Sequence, residues 1–250
     1  MKMRNFVIAM QCVVGALGAT AATAAPTDEG RLVQRVKDRA SGLEVRVYVG
    51  GAADVSIEVG DRTVLIQKQL VHGVAVTSLS TPSERLQLAV DARGLTVDGT
   101  LGRVEASATR PGSFDAARGL LSRSVAVDRA IKLLGRLDLG PRSPVGHTLF
   151  VTRAMLQSET GDARGAVELA RWAQGAKQAL AVTPVAWQTG PGDCWTEYTK
   201  EAIAAYDELE DCLRDIKWYD LTGELSCGTI YDLRAIGAFS WWLHCVALNG

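Results

Sequence analysis

Between residues 43 and 108 the chain alternates apolar and polar positions with a period of two. Leu43, Val45, Val47 and Val49 alternate with Glu44, Arg46 and Tyr48, and Val55, Ile57 and Val59 with Asp54, Ser56 and Glu58. Leu86, Leu88 and Val90 alternate with Arg85, Gln87 and Ala89. Successive side chains of a strand point to opposite faces, so the pattern predicts half-buried antiparallel strands. Gly60-Asp61 suits a type II′ hairpin loop that would set Ile57 opposite Val64 and Val55 opposite Ile66. Asp98-Gly99 suits a type I′ loop between Leu95–Val97 and Thr100–Ala106. Six or seven strands at roughly ten-residue spacing amount to a small antiparallel sheet, sandwich or open barrel. Ahead of them, the polar stretch 26–42 predicts a short helix at Gly30–Ala40.

After Arg110-Pro111-Gly112 the period lengthens to 3.6. Ser113 is placed to cap a helix over about 114–138, with Leu120, Leu121, Val125, Ile131, Leu134 and Leu137 on its apolar side. Gly140-Pro141-Arg142 breaks it. Ser143-Pro144 then opens a helix to about Glu159, Ser as cap and Pro in the first turn. Gly161 and Asp162 stop that helix and cap another, to about Leu180. The Pro- and Gly-bearing stretch 182–192 reads as a linker. The chain thus divides into a leader (1–24), an antiparallel β domain (25–110), a helical segment (111–181), the linker, and a C-terminal helical hairpin (193–250). The fold class is α+β.

Four cysteines lie in that last segment: Cys194, Cys212, Cys227 and Cys245, at intervals of 18, 15 and 18 residues. Eighteen residues is five helical turns, or about 27 Å. Cys194 and Cys212 therefore share one side of a first helix, which Asp193 would cap. Cys227 and Cys245 share one side of a second, entered through Asp220-Leu221-Thr222-Gly223. In an antiparallel hairpin, facing positions have a constant sum of residue numbers. Both 194 with 245 and 212 with 227 meet that condition at one register. Pairing within a helix exceeds a disulfide's reach, and pairing 194 with 227 requires parallel helices. The expected bridges are Cys194–Cys245 and Cys212–Cys227. The same separation excludes a four-cysteine zinc site, whose sulfurs must converge. The arrangement resembles the general twin-disulfide helical hairpin plan, an architecture that implies no activity.

The start of the chain agrees with disulfide chemistry. Lys2 and Arg4 precede an apolar run from Phe6 to Leu17 and small residues from Gly18 to Ala25, the layout of a secretory signal peptide. Ala22-Thr23-Ala24 sets the expected cleavage after Ala24. The exported chain would be periplasmic or secreted, where disulfides persist. The whole chain has 250 residues, 27 basic and 28 acidic, for a net charge of -1. That balance excludes nucleic-acid binding through bulk charge. Charge is uneven, however: residues 193–232 hold eleven acids and three bases, while 25–192 hold 21 bases and 17 acids. Glu197, Glu201, Glu208 and Asp211 with Trp195, Trp218, Trp241 and Trp242 make the hairpin a candidate contact surface for a protein partner, its acidity suiting a basic one. Ile236–Leu248 is apolar but too short to span a bilayer, so no stable membrane span is expected after leader removal.

Catalytic and metal motifs contribute nothing further. His72, His147 and His244 lack metal-ligand spacing, and no nucleophile elbow, P-loop or calcium loop is present. Each histidine reads as structural or superficial, and no cofactor or metal is expected. The sequence favours an exported, non-enzymatic binding or envelope-associated protein with the stapled hairpin as its contact module. The alternative is a periplasmic hydrolase whose active site is assembled from distant positions. An enzyme should place a histidine in a cleft beside a nucleophile or carboxylates.

Overall fold

The computed structural model describes residues 29–107, 109–110, 112–139, 143–160, 171, 174–178, 180, 192–215 and 221–249. The leader, the break at 140–142, most of the helix expected up to Leu180, the linker except Gly192, which opens the next helix, and Asp220 fall outside them. Eight strands form one antiparallel sheet: β1 (Glu29–Lys37), β2 (Glu44–Gly51), β3 (Ala53–Gly60), β4 (Leu65–Val71), β5 (Val74–Ser80), β6 (Arg85–Asp91), β7 (Gly94–Gly99) and β8 (Gly102–Ala106). Each strand pairs with its neighbour in sequence, so the sheet is a simple meander with β1 and β8 at its edges. Helices α1 (Ser113–Leu121), α2 (Val125–Leu134), α3 (Pro144–Thr160), α4 (Gly192–Asp215) and α5 (Leu221–Asn249) follow.

Alternation decides which face the helices cover. Val45, Val47, Val55, Ile57, Ile66, Leu79, Leu88 and Val97 are buried on one face, while Arg46, Ser56, Glu58 and Gln87 stay at least partly exposed on the other. Helix α5 crosses the buried face and touches β4, β5, β6 and β7. Trp195, Tyr198, Ile236, Phe239 and Trp242 of the hairpin belong to the same hydrophobic core as the sheet residues. The hairpin's apolar side is thus continuous with the β core, which supplies the burial that a two-helix piece of this size lacks. A second core of Val151, Ala154, Tyr206, Leu209, Tyr231 and Ala235 joins α3, α4 and α5.

Both disulfides form as the residue sums require, with Cα–Cα distances of 5.7 Å for Cys194–Cys245 and 5.9 Å for Cys212–Cys227. Ser143 caps α3 as expected, its Oγ accepting the Gly146 N–H at 2.7 Å.

Several local expectations are corrected. Residues 29–37 are an edge strand, not a helix, because β2 offers them a complete pairing partner. The β3–β4 hairpin is shifted: Val59 faces Ile66, Ile57 faces Lys68 and Val55 faces Leu70. Asp61 causes the shift, because its carboxylate accepts the N–H groups of Thr63 and Val64 and its own N–H bonds the Val64 carbonyl, closing a four-residue loop. The β7–β8 loop is likewise Thr100-Leu101, with Asp98 opposite Arg103. Gly99 stays in the ladder, where a Cβ would lie 2.2 Å from the Arg85 carbonyl oxygen. Its absent side chain serves close strand approach instead of a turn. The helix expected over 114–138 is two. Ser124 ends the join by capping α2 through Val127 N–H. Ser113 does not cap α1; Gly112 stands before it with φ 75°, and the Ser113 hydroxyl bonds carbonyls of the preceding loop.

Candidate binding site

The sheet edge and the end of the hairpin enclose a groove with a volume of about 550 Å³. One wall is the inner face of β1 and β2. Arg31 lies opposite Val49 and Gln34 opposite Val47, with a bulge between Leu32 and Gln34. In a regular strand, residues three apart point to opposite faces. The inserted residue turns Arg31 and Gln34 to the same, inner side, as bulges beside functional sites commonly re-aim side chains. Leu32 and Val33 stand at the rim, 41% and 38% exposed.

The opposite wall is the last part of α5, where Trp242, Leu243, His244, Val246 and Ala247 line the space. Cys245, one residue on from His244, is bonded to Cys194 near the start of α4. The staple therefore fixes this wall. Among the described residues that line the groove none is acidic, and the ionisable side chains are Arg31 and His244. Gln34 Oε1 is buried with no hydrogen-bond partner among the described residues. A buried amide oxygen left unpaired is costly and uncommon.

A chain of buried polar groups lies deeper in the molecule. The two-residue β4–β5 loop and β3 register carry Lys68 onto the inner face, where it is fully buried. Its Nζ donates to Thr77 Oγ1 at 2.9 Å and to Asp232 Oδ2 of α5. Thr152 of α3 donates to the other Asp232 oxygen at 3.4 Å. Desolvation lowers the Lys68 pKa, opposed by the charge and hydrogen bond of Asp232. One residue before Asp232, Tyr231 meets His147 of α3: its hydroxyl is 3.2 Å from Nε2, while the Tyr198 hydroxyl of α4 is 2.9 Å from Nδ1. Burial lowers the His147 pKa to about 4, so the imidazole is neutral at neutral pH, one ring nitrogen donating and the other accepting. Desolvation raises both tyrosine pKa values. Tyr198 also packs on Trp242, ring centroids 6.4 Å apart, which links this interior to the groove wall.

Glu84 is a second buried carboxylate that sequence reasoning missed. It bonds the Ser124 hydroxyl and accepts the N–H of Val125 at 3.0 Å, anchoring the positive end of α2 to the β5–β6 loop.

The candidate contact residues separate. Trp195 and Trp242 are buried, 7% and 9% exposed, because the hairpin packs on the sheet and not away from it. Trp241 is exposed, and Trp218 lies outside the described residues. Glu201, Glu208 and Asp211 are exposed and Glu197 is half-buried. Of these, Glu197 faces Lys200, Glu208 faces Arg234 and Asp211 faces Arg214. His72 occupies a two-residue turn with φ 49°, its N–H bonded to Asp54. Among the described residues no cluster of three or more His, Cys, Asp or Glu could hold a metal, and no helix is long and apolar enough to cross a membrane. Comparison of the chain with protein-family models, with curated proteins and with solved structures finds no match.

Proposed function

We propose that the protein is an exported, non-enzymatic binding protein, and that β1 and the stapled end of the hairpin together form its binding groove. The observation that carries the reading is the groove itself. It joins an apolar wall on α5 to two polar side chains that a bulge aims inward. Its volume falls in the roughly 300–1,000 Å³ range of small-molecule sites. Two disulfides are compatible with an oxidising compartment, and with the leader-like first 24 residues they support export to the periplasm or beyond. The histidines favour binding over hydrolysis: His147 is enclosed between tyrosines, and His244 faces the groove among apolar residues and Arg31. The acidic hairpin surface is a weaker candidate for a basic partner, since three of its four singled-out acids already face cations.

The test is titration of the processed, oxidised chain with Nile red, a neutral apolar fluorophore. Saturable binding is expected, and Val246→Trp should abolish it by filling the groove. Binding that survives Val246→Trp would place the site elsewhere and refute the reading.

A further inference from the structure

Resting on that reading, we infer that the groove selects an amphiphilic carboxylate of the fatty-acid type, its chain along α5 and its head at Arg31 and Gln34. The apolar body has Val49, Trp242, Leu243 and Val246 to lie against. The head-group argument is one of charge complementarity. Inner-face positions of the neighbouring strands are aliphatic, as at Val45, Val47, Val55 and Ile57. On β1 the corresponding positions are Arg31, Gln34 and Val36, so two of the three are polar. Among the described residues Arg31 has no ion-pair partner and no lining residue is acidic. A guanidinium offers a fork of donors that matches a carboxylate. Gln34, beside it in the lining, adds an amide whose buried oxygen has no partner among the described residues. His244 supplies a further donor at the far wall. The protein's excess acidity lies elsewhere on the hairpin, so the anion meets a locally cationic site.

An inward-pointing charge on an edge strand has another use: it discourages pairing with a further strand. The two roles make different predictions. A charge series of one chain length separates them: dodecanoate, 1-dodecanol and dodecylamine, each displacing Nile red from the processed chain at neutral pH below micelle formation. Dodecanoate is expected to bind at least about tenfold tighter than dodecylamine, the scale of a hydrogen bond to a charged group. Arg31→Gln should bring dodecanoate to the level of dodecanol, each affinity being referred to that variant's own Nile red affinity, and added salt should narrow the preference. Nile red binding with equal affinity for all three compounds, or with an unchanged series in Arg31→Gln, overturns the carboxylate assignment and leaves the groove reading standing. Failure of Nile red and all three compounds to bind overturns both.

Discussion

Lys68 and Asp232 make the most demanding prediction. Both side chains are fully buried, one in the centre of the sheet and the other on the helix that crosses it. Taking a charge out of water costs several kcal/mol, and the partner's field with Thr77 and Thr152 offsets that only while all are present. Lys68→Met leaves the Asp232 carboxylate with Thr152 alone, and Asp232→Leu leaves the ammonium with Thr77 alone. Each single change should cost about 3–5 kcal/mol, a large part of the roughly 5–15 kcal/mol that stabilises a domain. The double variant Lys68→Met/Asp232→Leu removes both charges and should recover most of that loss. What remains is the Thr77 hydroxyl, deprived of its donor at about 1 kcal/mol, which Thr77→Val should relieve. The assay is urea unfolding with both disulfides intact, comparing midpoints and slopes across the four chains of the cycle. A double variant as unstable as the sum of the singles would mean the charges do not depend on each other, and would refute the argument.

Three further outcomes are expected. His147 has a folded pKa of about 4 against about 6.5 unfolded, so the unfolded chain binds the extra proton between those values. Its contribution is fully present above pH 6.5 and lost as pH falls towards 4, roughly 3 kcal/mol in all at 1.36 kcal/mol per unit; a urea midpoint flat over that window would contradict it, and His147→Gln should flatten it. Glu84→Gln should weaken the α2 anchor by about 1 kcal/mol, seen as a lower midpoint that Glu84→Ala lowers further. Non-reducing peptide maps should show 194–245 and 212–227 links, and removing the first by Cys194→Ser/Cys245→Ser should cost about 4 kcal/mol and the second about 3 by loop closure over separations of 51 and 15 residues.

The cysteine pairing was legible because helix geometry converts spacing directly into position. Antiparallel strands are also visible as alternation, but their register depends on loops, and here the glycines misled. Gly60 and Gly99 looked like turn residues, yet each ends a strand as a ladder member. The β3–β4 loop is closed by side-chain and backbone hydrogen bonds of Asp61, and Thr100 of the β7–β8 loop bonds the Arg85 backbone of β6. Strand β1 was illegible for a related reason. Its bulge breaks the period of two, and two of its inward positions, Arg31 and Gln34, are polar, so no alternation marks it. Lys68, Asp232, His147 and Glu84 read as ordinary polar positions because each has a partner 40 to 164 residues away in sequence. The groove inherits this difficulty: it joins residues 31–34 to 242–247, and neither segment signals the other.

The buried charges also bear on how the groove keeps its shape. Helix α5 is held at Cys227, at Asp232 and at Cys245, the last two separated by about 20 Å of helix. The disulfides tie it to α4, and Asp232 ties it by a charged hydrogen bond to the sheet. An apolar contact tolerates sliding by part of a turn, whereas a salt bridge to one lysine has a single geometry. The pair's stability could be matched by hydrophobic residues; its positional information could not. The double variant can therefore separate the two properties. If the pair sets the placement of α5 over β4, Lys68→Met/Asp232→Leu should keep a near-normal urea midpoint and yet bind Nile red several-fold more weakly, because Trp242 and Val246 no longer face β1 at a fixed height. Unchanged affinity together with an unchanged midpoint would show that packing and the disulfides alone position the helix.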